Sequence, residues 1–361
     1  MRTRSVRRPG LVRIETQATR PLIAITMGDP GGIGAEVSLK ALLQPEIYPM
    51  CRPLVVGTLA VLEQARDGLR SDQRLQPVAS PAEGRYAART VDVLDLAAEH
   101  PGPFPLGVAT KEGGAAAVAY VERAITLAIG REVDAIATAP INKEAMRAAG
   151  FPYDGHTELL AVKTGTKAYT MMLAAGDFRV FHVSTHVSLR GAIERAKRAR
   201  VLQVIELAHQ EIRQSGVMEP RIAVAGLNPH AGEHGLFGDE EIHEIGPAVE
   251  AARARGWNVS GPLPPDTVFA RARRGDFDGV VAMYHDQGHI PFKMAAFELG
   301  VNVTVGLPII RTSVDHGTAY DIAGKGVADA QNMVQAITLA AEMAKRRAPS
   351  PQPSPGGRGG S

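Results

Sequence analysis

Three apolar, β-branched stretches of this chain each run into a histidine: Phe181-His182-Val183-Ser184-Thr185-His186, Ile222-Ala223-Val224-Ala225-Gly226-Leu227-Asn228-Pro229-His230, and Val280-Val281-Ala282-Met283-Tyr284-His285. In the last of them Asp286, Gly288 and Pro291 follow at once and forbid the strand from continuing. Open α/β sheets hold their ligands at such strand ends. If the three strands lie side by side, His186, His230 and His285 converge on one small volume, and three neutral imidazoles are enough to hold a divalent metal. His234 and His289 each stand four residues after one of these and compete with it for the role. Asp266 and Asp286 can orient ligating imidazoles or add a ligand. His100, His182, His209 and His243 fall in a loop, in a strand and on polar helix faces, where solvated or satisfied roles are the default.

A second group of residues suits an anion. Lys293, Asn302 and Arg311 flank the same expected strand ends, and arginine or lysine beside a metal most often holds an anionic substrate. Gly155-His156-Thr157-Glu158 opens a helix, so His156 and Thr157 stand where free amides and the helix dipole favour negative charge; a capping box with Thr157 as the cap is the alternative. Met27-Gly28-Asp29-Pro30-Gly31-Gly32-Ile33-Gly34 joins a strand to a helix and offers another anion-binding turn. It lacks both the P-loop ending and the dinucleotide glycine spacing, and a merely tight turn would look nearly the same.

These side chains need a scaffold, and the composition bounds it. The chain has 361 residues, 45% hydrophobic and 22% charged, with a single cysteine, Cys51. That is enough chain for two domains, no intrachain disulfide is possible, and any metal needs histidine and carboxylate. The net charge of +2 comes from the first twenty residues, which carry six arginines against Glu15; the rest is at about −3 and has no general attraction to nucleic acid. Residues 1–20 read as a disordered basic extension, 346–361 as a disordered proline- and glycine-rich tail. No window is long and apolar enough to span a membrane.

Between these ends, strands and helices alternate. Strands are predicted at Leu22-Ile23-Ala24-Ile25-Thr26, Pro53-Leu54-Val55-Val56-Gly57, Ala135-Ile136-Ala137-Thr138 and Val301-Asn302-Val303-Thr304-Val305, with one short strand near Val91-Asp92-Val93-Leu94 in the proline-rich region 67–107. Helices are predicted over roughly 115–130, 190–214, 240–255 and 330–345, and Gly261-Pro262-Leu263-Pro264-Pro265-Asp266-Thr267 reads as a rigid turn presenting one carboxylate. The alternation predicts an α/β fold with a largely parallel sheet covered on both faces.

Seven motifs taken in order, GDPGGIGAE, GHTE, STHVSL, GLNPHAGE, GPLPPDT, MYHDQG and GLPIIRTSVDHGTAYDIAGKG, resemble the 4-hydroxythreonine-4-phosphate dehydrogenase family of vitamin B6 biosynthesis from Pro21 to about Ile337. The resemblance implies two α/β domains with a cleft between them, like isocitrate and isopropylmalate dehydrogenases. One is the cofactor side (21–150 plus 303–345) and the other the substrate, metal and dimerisation side (151–302). It also implies a cytoplasmic homodimer with a shared active site and a small anionic phosphorylated substrate. NAD is expected without a Rossmann fingerprint, on a loop carrying His316, Gly317, Thr318 and Asp321. The family's metal ligands fall on His186, His230 and His285, and its substrate contacts on His156, Thr157, Lys293, Asn302 and Arg311. Zinc, cobalt, magnesium and manganese all suit the implied reaction, oxidation of a secondary alcohol followed by decarboxylation. Lys293, Asp266 and a metal-bound water are candidates for the general base. Gly288-His289-Ile290-Pro291 and Thr185-His186-Val187-Ser188-Leu189 depart from the biosynthetic pattern. Both resemble catabolic relatives that oxidise 4-phospho-D-threonate or 4-phospho-D-erythronate and, more distantly, a terephthalate cis-dihydrodiol dehydrogenase. Outside redox chemistry, a metal-dependent phosphohydrolase or a non-catalytic sensor fits the histidines and the anion pocket, but neither needs the loop at 316–326.

Overall fold

Stretches such as Leu22–Thr26 and Ile222–Ala225 are apolar at nearly every position rather than at alternate ones, as strands covered on both faces must be, and they are buried along their whole length. The computed structural model describes residues 20–347 except 101, 297 and 298. Apart from Arg20, Arg346 and Arg347, the basic extension and the proline-rich tail lie outside the described residues.

Among the described residues twelve strands form one sheet: β1 Leu22–Thr26, β2 Arg52–Gly57, β3 Arg74–Val78, β4 Thr90–Asp95, β5 Ala135–Thr138, β6 Thr170–Ala175, β7 Phe178–His182, β8 Ile222–Ala225, β9 Val259–Leu263, β10 Gly279–Ala282, β11 Val301–Val305 and β12 Arg311–Ser313. Their order is β3-β4-β2-β1-β5-β12-β11-β6-β7-β10-β8-β9. Pairing is parallel except where β11 and β6 meet each other, β12 and β7. The helices are α1 Gly34–Ala41, α2 Ile47–Met50, α3 Leu59–Gly68, α4 Lys111–Ile129, α5 Lys143–Ala148, α6 His156–Lys163, α7 Leu189–Arg195, α8 Arg198–Gln214, α9 Gly246–Arg253, α10 Pro265–Arg273, α11 His285–Ala296 and α12 Gln331–Arg347. The α/β architecture is the expected one. The boundary at 302/303 between the two expected domains falls inside β11, within this continuous sheet.

Several local expectations need correction. The region 67–107 holds two strands, β3 as well as β4; only Val78 of β3 is buried, so its sequence carries no apolar run. The helix expected over 190–214 breaks at Ala196 and Lys197, where Glu244 accepts from the Arg198 amide at 2.8 Å and from Lys197 Nζ at 3.0 Å and so starts α8 afresh. The helix expected from 240 begins with a π-helical turn, Glu241–Ile245, whose buried Glu241 accepts from the Leu227 and Asn228 amides. Residues 261–267 are not one turn: β9 ends at Leu263, and Pro265, lacking an N–H that a first helical turn would leave unpaired, starts α10 with Asp266 beside it. His209 does not lie on a polar face but is buried against Trp257, ring centroids 4.6 Å apart.

Two packing contacts place the functional elements. Phe292 of α11 stacks on Phe178 of β7 at 5.3 Å and fixes the helix that begins at His285; truncating such a buried phenylalanine to alanine costs about 3–5 kcal/mol. Gly114 lets α4 touch the start of α5, since a Cβ there would lie 2.2 Å from the Ala145 carbonyl.

Candidate active site

β5, β12 and β11 bring Thr138, Arg311 and Thr304 together beneath the start of α6, and above them opens a cleft of about 610 Å³. Arg311 lies in its wall and is 2% exposed. Its Nε and Nη2 donate to Thr138 Oγ1 at 3.2 and 2.8 Å, and its Nη1 donates to Thr304 Oγ1 at 3.1 Å. No carboxylate pairs with it among the described residues, and burial pulls the guanidinium down to about 9, so it stays charged at neutral pH. A buried cation without a counter-ion is costly, and an anion entering the cleft removes that cost.

Polar atoms around the same cleft also lack protein partners: His156 Nε2, Asn302 Oδ1 and His316 Nε2 are shielded and unbonded among the described residues. Burial, and then the charge of Arg311, hold the His156 imidazole well below its usual range, so it is neutral. Thr157 is not the helix cap; Gly155 holds that position, and Thr157 Oγ1 lies 3.3 Å from Thr304 Oγ1, next to Arg311. Four of the five expected substrate residues, His156, Thr157, Asn302 and Arg311, therefore line one cleft. The fifth, Lys293, stands beside it, with Nζ 2.9 Å from Asp315 Oδ2 in the cleft wall. Sequence reasoning missed Thr138, Thr304 and Lys143. The two threonines are hydroxyls inside apolar strands. Lys143 follows Asn142, which caps α5 by accepting from the Ala145 amide at 2.8 Å, a signal that was readable.

The strands β7, β10 and β8 are neighbours, as convergence of the histidines requires. Yet they do not end on the imidazoles. β7 stops at His182, four residues before His186; β8 stops at Ala225; β10 stops at Ala282, and His285 opens α11, a helix with Pro291 inside it. His230 and His234 sit on a loop whose residues 230–234 all have left-handed backbone, φ between 40° and 78°. His186 and His285 are close, ring centroids 5.9 Å apart. His285 Nδ1 meets Asp286 Oδ1 at 2.7 Å, the carboxylate-to-imidazole contact that orients a ligand and frees Nε2. Among the described residues, however, no group of three or more His, Cys, Asp or Glu side chains is close enough to hold a metal. The single chain thus offers a fitting pair, with His230 apart from it. His289, the competitor of His285, lies parallel to its ring at 3.6 Å and bonds through Nδ1 with the His285 carbonyl at 3.0 Å; its ring centroid is also 4.7 Å from that of the buried His182. Asp266 lines a separate groove with Tyr284 and Asp286.

The glycine-rich turn at 27–34 is not an open anion nest. The Gly31 amide donates to Asp29 Oδ1, the Gly32 amide to the Asp29 carbonyl, and the Ile33 amide to the Thr318 carbonyl at 3.0 Å. The protein's own Asp29 occupies the position, and Tyr320 OH donates to its Oδ2 at 2.8 Å. The turn instead anchors the segment carrying His316, Gly317, Thr318 and Asp321. Farther along, Lys40 Nζ donates to the Gly326 and Ala328 carbonyls and pairs with the buried Glu36. His316 and Gly317 line the cleft, whereas Asp321 is exposed.

The chain is similar to known proteins over most of its length. The family model described as "Pyridoxal phosphate biosynthetic protein PdxA" matches residues 49–340. The chain is 52% identical over 329 residues to a D-threonate 4-phosphate dehydrogenase of Cupriavidus necator, covering 91% of this chain and 98% of that protein. It is 48% identical over 323 residues to a 4-hydroxythreonine-4-phosphate dehydrogenase of Desulforapulum autotrophicum, covering 89% and 95%. A crystal structure of a 4-hydroxythreonine-4-phosphate dehydrogenase from Klebsiella pneumoniae matches with a TM-score of 0.85 at 46% identity, over 90% of this chain and 98% of that one.

Proposed function

Because this chain belongs to the PdxA family, we propose that it is an NAD-dependent dehydrogenase of a 4-phosphorylated 3-hydroxy acid, oxidising the C3 alcohol and releasing carbon dioxide from the β-keto acid formed. D-threonate 4-phosphate is the first candidate substrate, since the relative of that name is the more similar of the two compared; 4-hydroxythreonine 4-phosphate is the second. The observation that supports the reading most is the buried, uncompensated Arg311 facing a cleft with unpartnered polar atoms at His156 and Asn302.

Each residue then has a task. Arg311 binds an anionic end of the substrate through a rigid planar fork that Thr138 and Thr304 hold in place. Thr157 and the amides at the start of α6 bind a second negative group. Neutral His156 and Asn302 supply hydrogen bonds that orient the carbinol carbon. Lys293, kept beside the cleft by Asp315, and Asp266 are the side chains proposed to hold or move the hydroxyl proton. His316, Gly317, Thr318 and Asp321 would hold NAD, which would supply the hydride acceptor. His186, His230 and His285 would hold a divalent cation (zinc, cobalt, magnesium or manganese), which supplies positive charge to the alcohol oxygen. His230 and Asp266 lie away from Arg311 within one chain, which supports a homodimer in which the partner completes the site. Exposed Ile290 and Met294 on α11, 57% and 87% accessible, are apolar surface suited to that contact. No helix among the described residues is long and apolar enough to cross a membrane, and a cytoplasmic location is part of the same proposal.

The purified chain, supplied with NAD, a divalent metal and each candidate acid in turn, should produce the NADH absorbance band. No NADH from any of them would defeat the reading, and inorganic phosphate released without NADH would point to a phosphohydrolase.

A further inference from the structure

Among residues 229–237 only Gly232 is buried, so the loop that carries His230 and His234 has no apolar core of its own to shape it. Its left-handed run includes His230, Ala231, Glu233 and His234, and residues with a Cβ disfavour that conformation because the Cβ crowds the following carbonyl oxygen. A group outside the loop must therefore hold it, and that group is Glu241, 4% exposed on the π-helical turn before α9. Glu241 Oε1 accepts from the Leu227 and Asn228 amides at 2.6 and 2.8 Å, where the chain leaves β8, and Oε2 accepts from Asn228 Nδ2 at 2.9 Å. Asn228 Nδ2 also donates to Glu240 Oε2 at 2.6 Å. Among the described residues, all the hydrogen bonds to the Glu241 carboxylate come from Leu227 and Asn228. The turn then closes over the same group. A Cβ on Gly232 would lie 2.7 Å from Glu241 Oε2, and one on Gly226 would lie 2.7 Å from Ala231 Cα and 3.0 Å from Glu241 Oε1.

On the reading of His230 as a metal ligand, we propose that Glu241 is a positioning residue: it grips the entry to the left-handed turn and so sets where the His230 imidazole stands. A carboxylate suits the task, because hydrogen bonds to a charged acceptor are shorter and roughly twice as strong as neutral ones. Glutamine would keep the shape yet turn an amino group on the donors of Leu227 and Asn228, leaving a buried donor unpaired. A turn that buries so little adds little to the stability of the fold. Its left-handed backbone is explained instead by the imidazole it presents, as strain held by surrounding structure at functional sites commonly is. The π-helical winding at 241–245, a form frequent at functional sites, is where the gripping side chain stands.

The test is a double-mutant cycle on cobalt(II) affinity, read from the visible spectrum of the full-length protein after chelation, with hydrogen exchange measured alongside. Glu241→Gln should speed exchange of the amides of 227–237 tenfold or more while β10 and α8 keep their protection, and should weaken cobalt binding tenfold or more. His230→Ala should weaken binding at least as much. Adding Glu241→Gln to His230→Ala should weaken it no further, because the carboxylate acts through that imidazole. Saturating metal should restore turnover to Glu241→Gln and not to His230→Ala. Asn228→Ser, which removes one of the three bonds and leaves the carboxylate in place, should shift exchange and affinity in the same direction by less, and it carries the test if Glu241→Gln does not fold. Unchanged exchange at 227–237, or full additivity of the two substitutions, overturns the role given to Glu241. Unchanged cobalt affinity in His230→Ala defeats the metal-ligand reading and the positioning role with it, whereas binding weakened in His230→Ala but not in Glu241→Gln defeats the positioning role alone.

Discussion

Thr138 Oγ1 accepts two hydrogen bonds from the guanidinium of Arg311, a residue 173 positions later in the chain. The pairing holds a buried charge in place without neutralising it, which is a poor arrangement for stability and a good one for catching an anion. Arg311→Met should therefore weaken binding of the acid without weakening the fold. Losing a charge-assisted contact worth ~1.5–3 kcal/mol raises KM for the acid by roughly 10- to 100-fold. Removing an uncompensated buried cation leaves the melting temperature unchanged or higher. An unchanged KM, or a steep loss of stability, would show that Arg311 serves the fold rather than the ligand.

His285 carries the second prediction. Its contact with Asp286 and its nearness to His186 make it the imidazole on which metal binding should depend most. His285→Ala should lose bound metal and metal-dependent turnover while keeping the circular dichroism of the unaltered chain. Asp286→Asn should lower metal affinity by about 10- to 100-fold, the usual cost of removing such an orienting carboxylate. Metal content by atomic emission and activity after chelation and re-addition check both. Full turnover by metal-free His285→Ala protein would refute the assignment.

The sequence made the sheet and the anion cleft legible for different reasons. β1, β5 and β8 are buried on both faces, so their unbroken apolar runs announce them, whereas the only partly buried β3, Arg74-Leu75-Gln76-Pro77-Val78, announces nothing. Arg311, Asn302 and His156 could be found because charged or polar residues beside strand and helix ends have few structural duties. Thr138 and Thr304 could not, since a threonine in a strand is ordinary and only the fold shows that both face one guanidinium. The histidines misled in one respect. Apolar periodicity marks where a strand is buried, not where its hydrogen bonding stops, so His186, His230 and His285 fall three to five residues beyond the ends of β7, β8 and β10.

Three further imidazoles set the acid stability. Burial first, and then neighbouring charge, hold His156 well below its usual range, His182 at about 3 and His289 at about 4. In the unfolded chain each takes a proton near pH 6.5. Between that pH and the depressed values the unfolded state binds more protons, so folding stability falls as pH drops through this window, by ~1.4 kcal/mol per pH unit for each group at most. Urea unfolding from pH 7 to pH 4 should show this decline beginning above the carboxylate range. His182→Gln should reduce its slope by about one proton. A flat profile down to pH 5 would contradict the burial of these rings.

Asp29 and Tyr320 test the link between the glycine-rich turn and the expected cofactor loop. The carboxylate is buried, which raises its pKa above the ordinary 3.8 despite hydrogen bonds from the Gly31 amide and Tyr320 OH that pull it down. A raised folded value means that burying Asp29 favours its protonated form, so relative to Asp29→Asn the unaltered chain should lose stability as pH rises through that value. Thermal unfolding of both proteins at pH 4 and pH 8 measures the difference. Tyr320→Phe removes the hydroxyl that ties the loop to the turn, a bond worth ~0.5–1.5 kcal/mol. If the loop positions NAD, the loss should appear as a KM for NAD raised by roughly 2- to 10-fold with the KM for the acid nearly unchanged. An equal rise in both constants would mean that the tie holds the cleft as a whole, and no rise in either would mean that the loop keeps its place through Lys40 and the Ile33 amide alone.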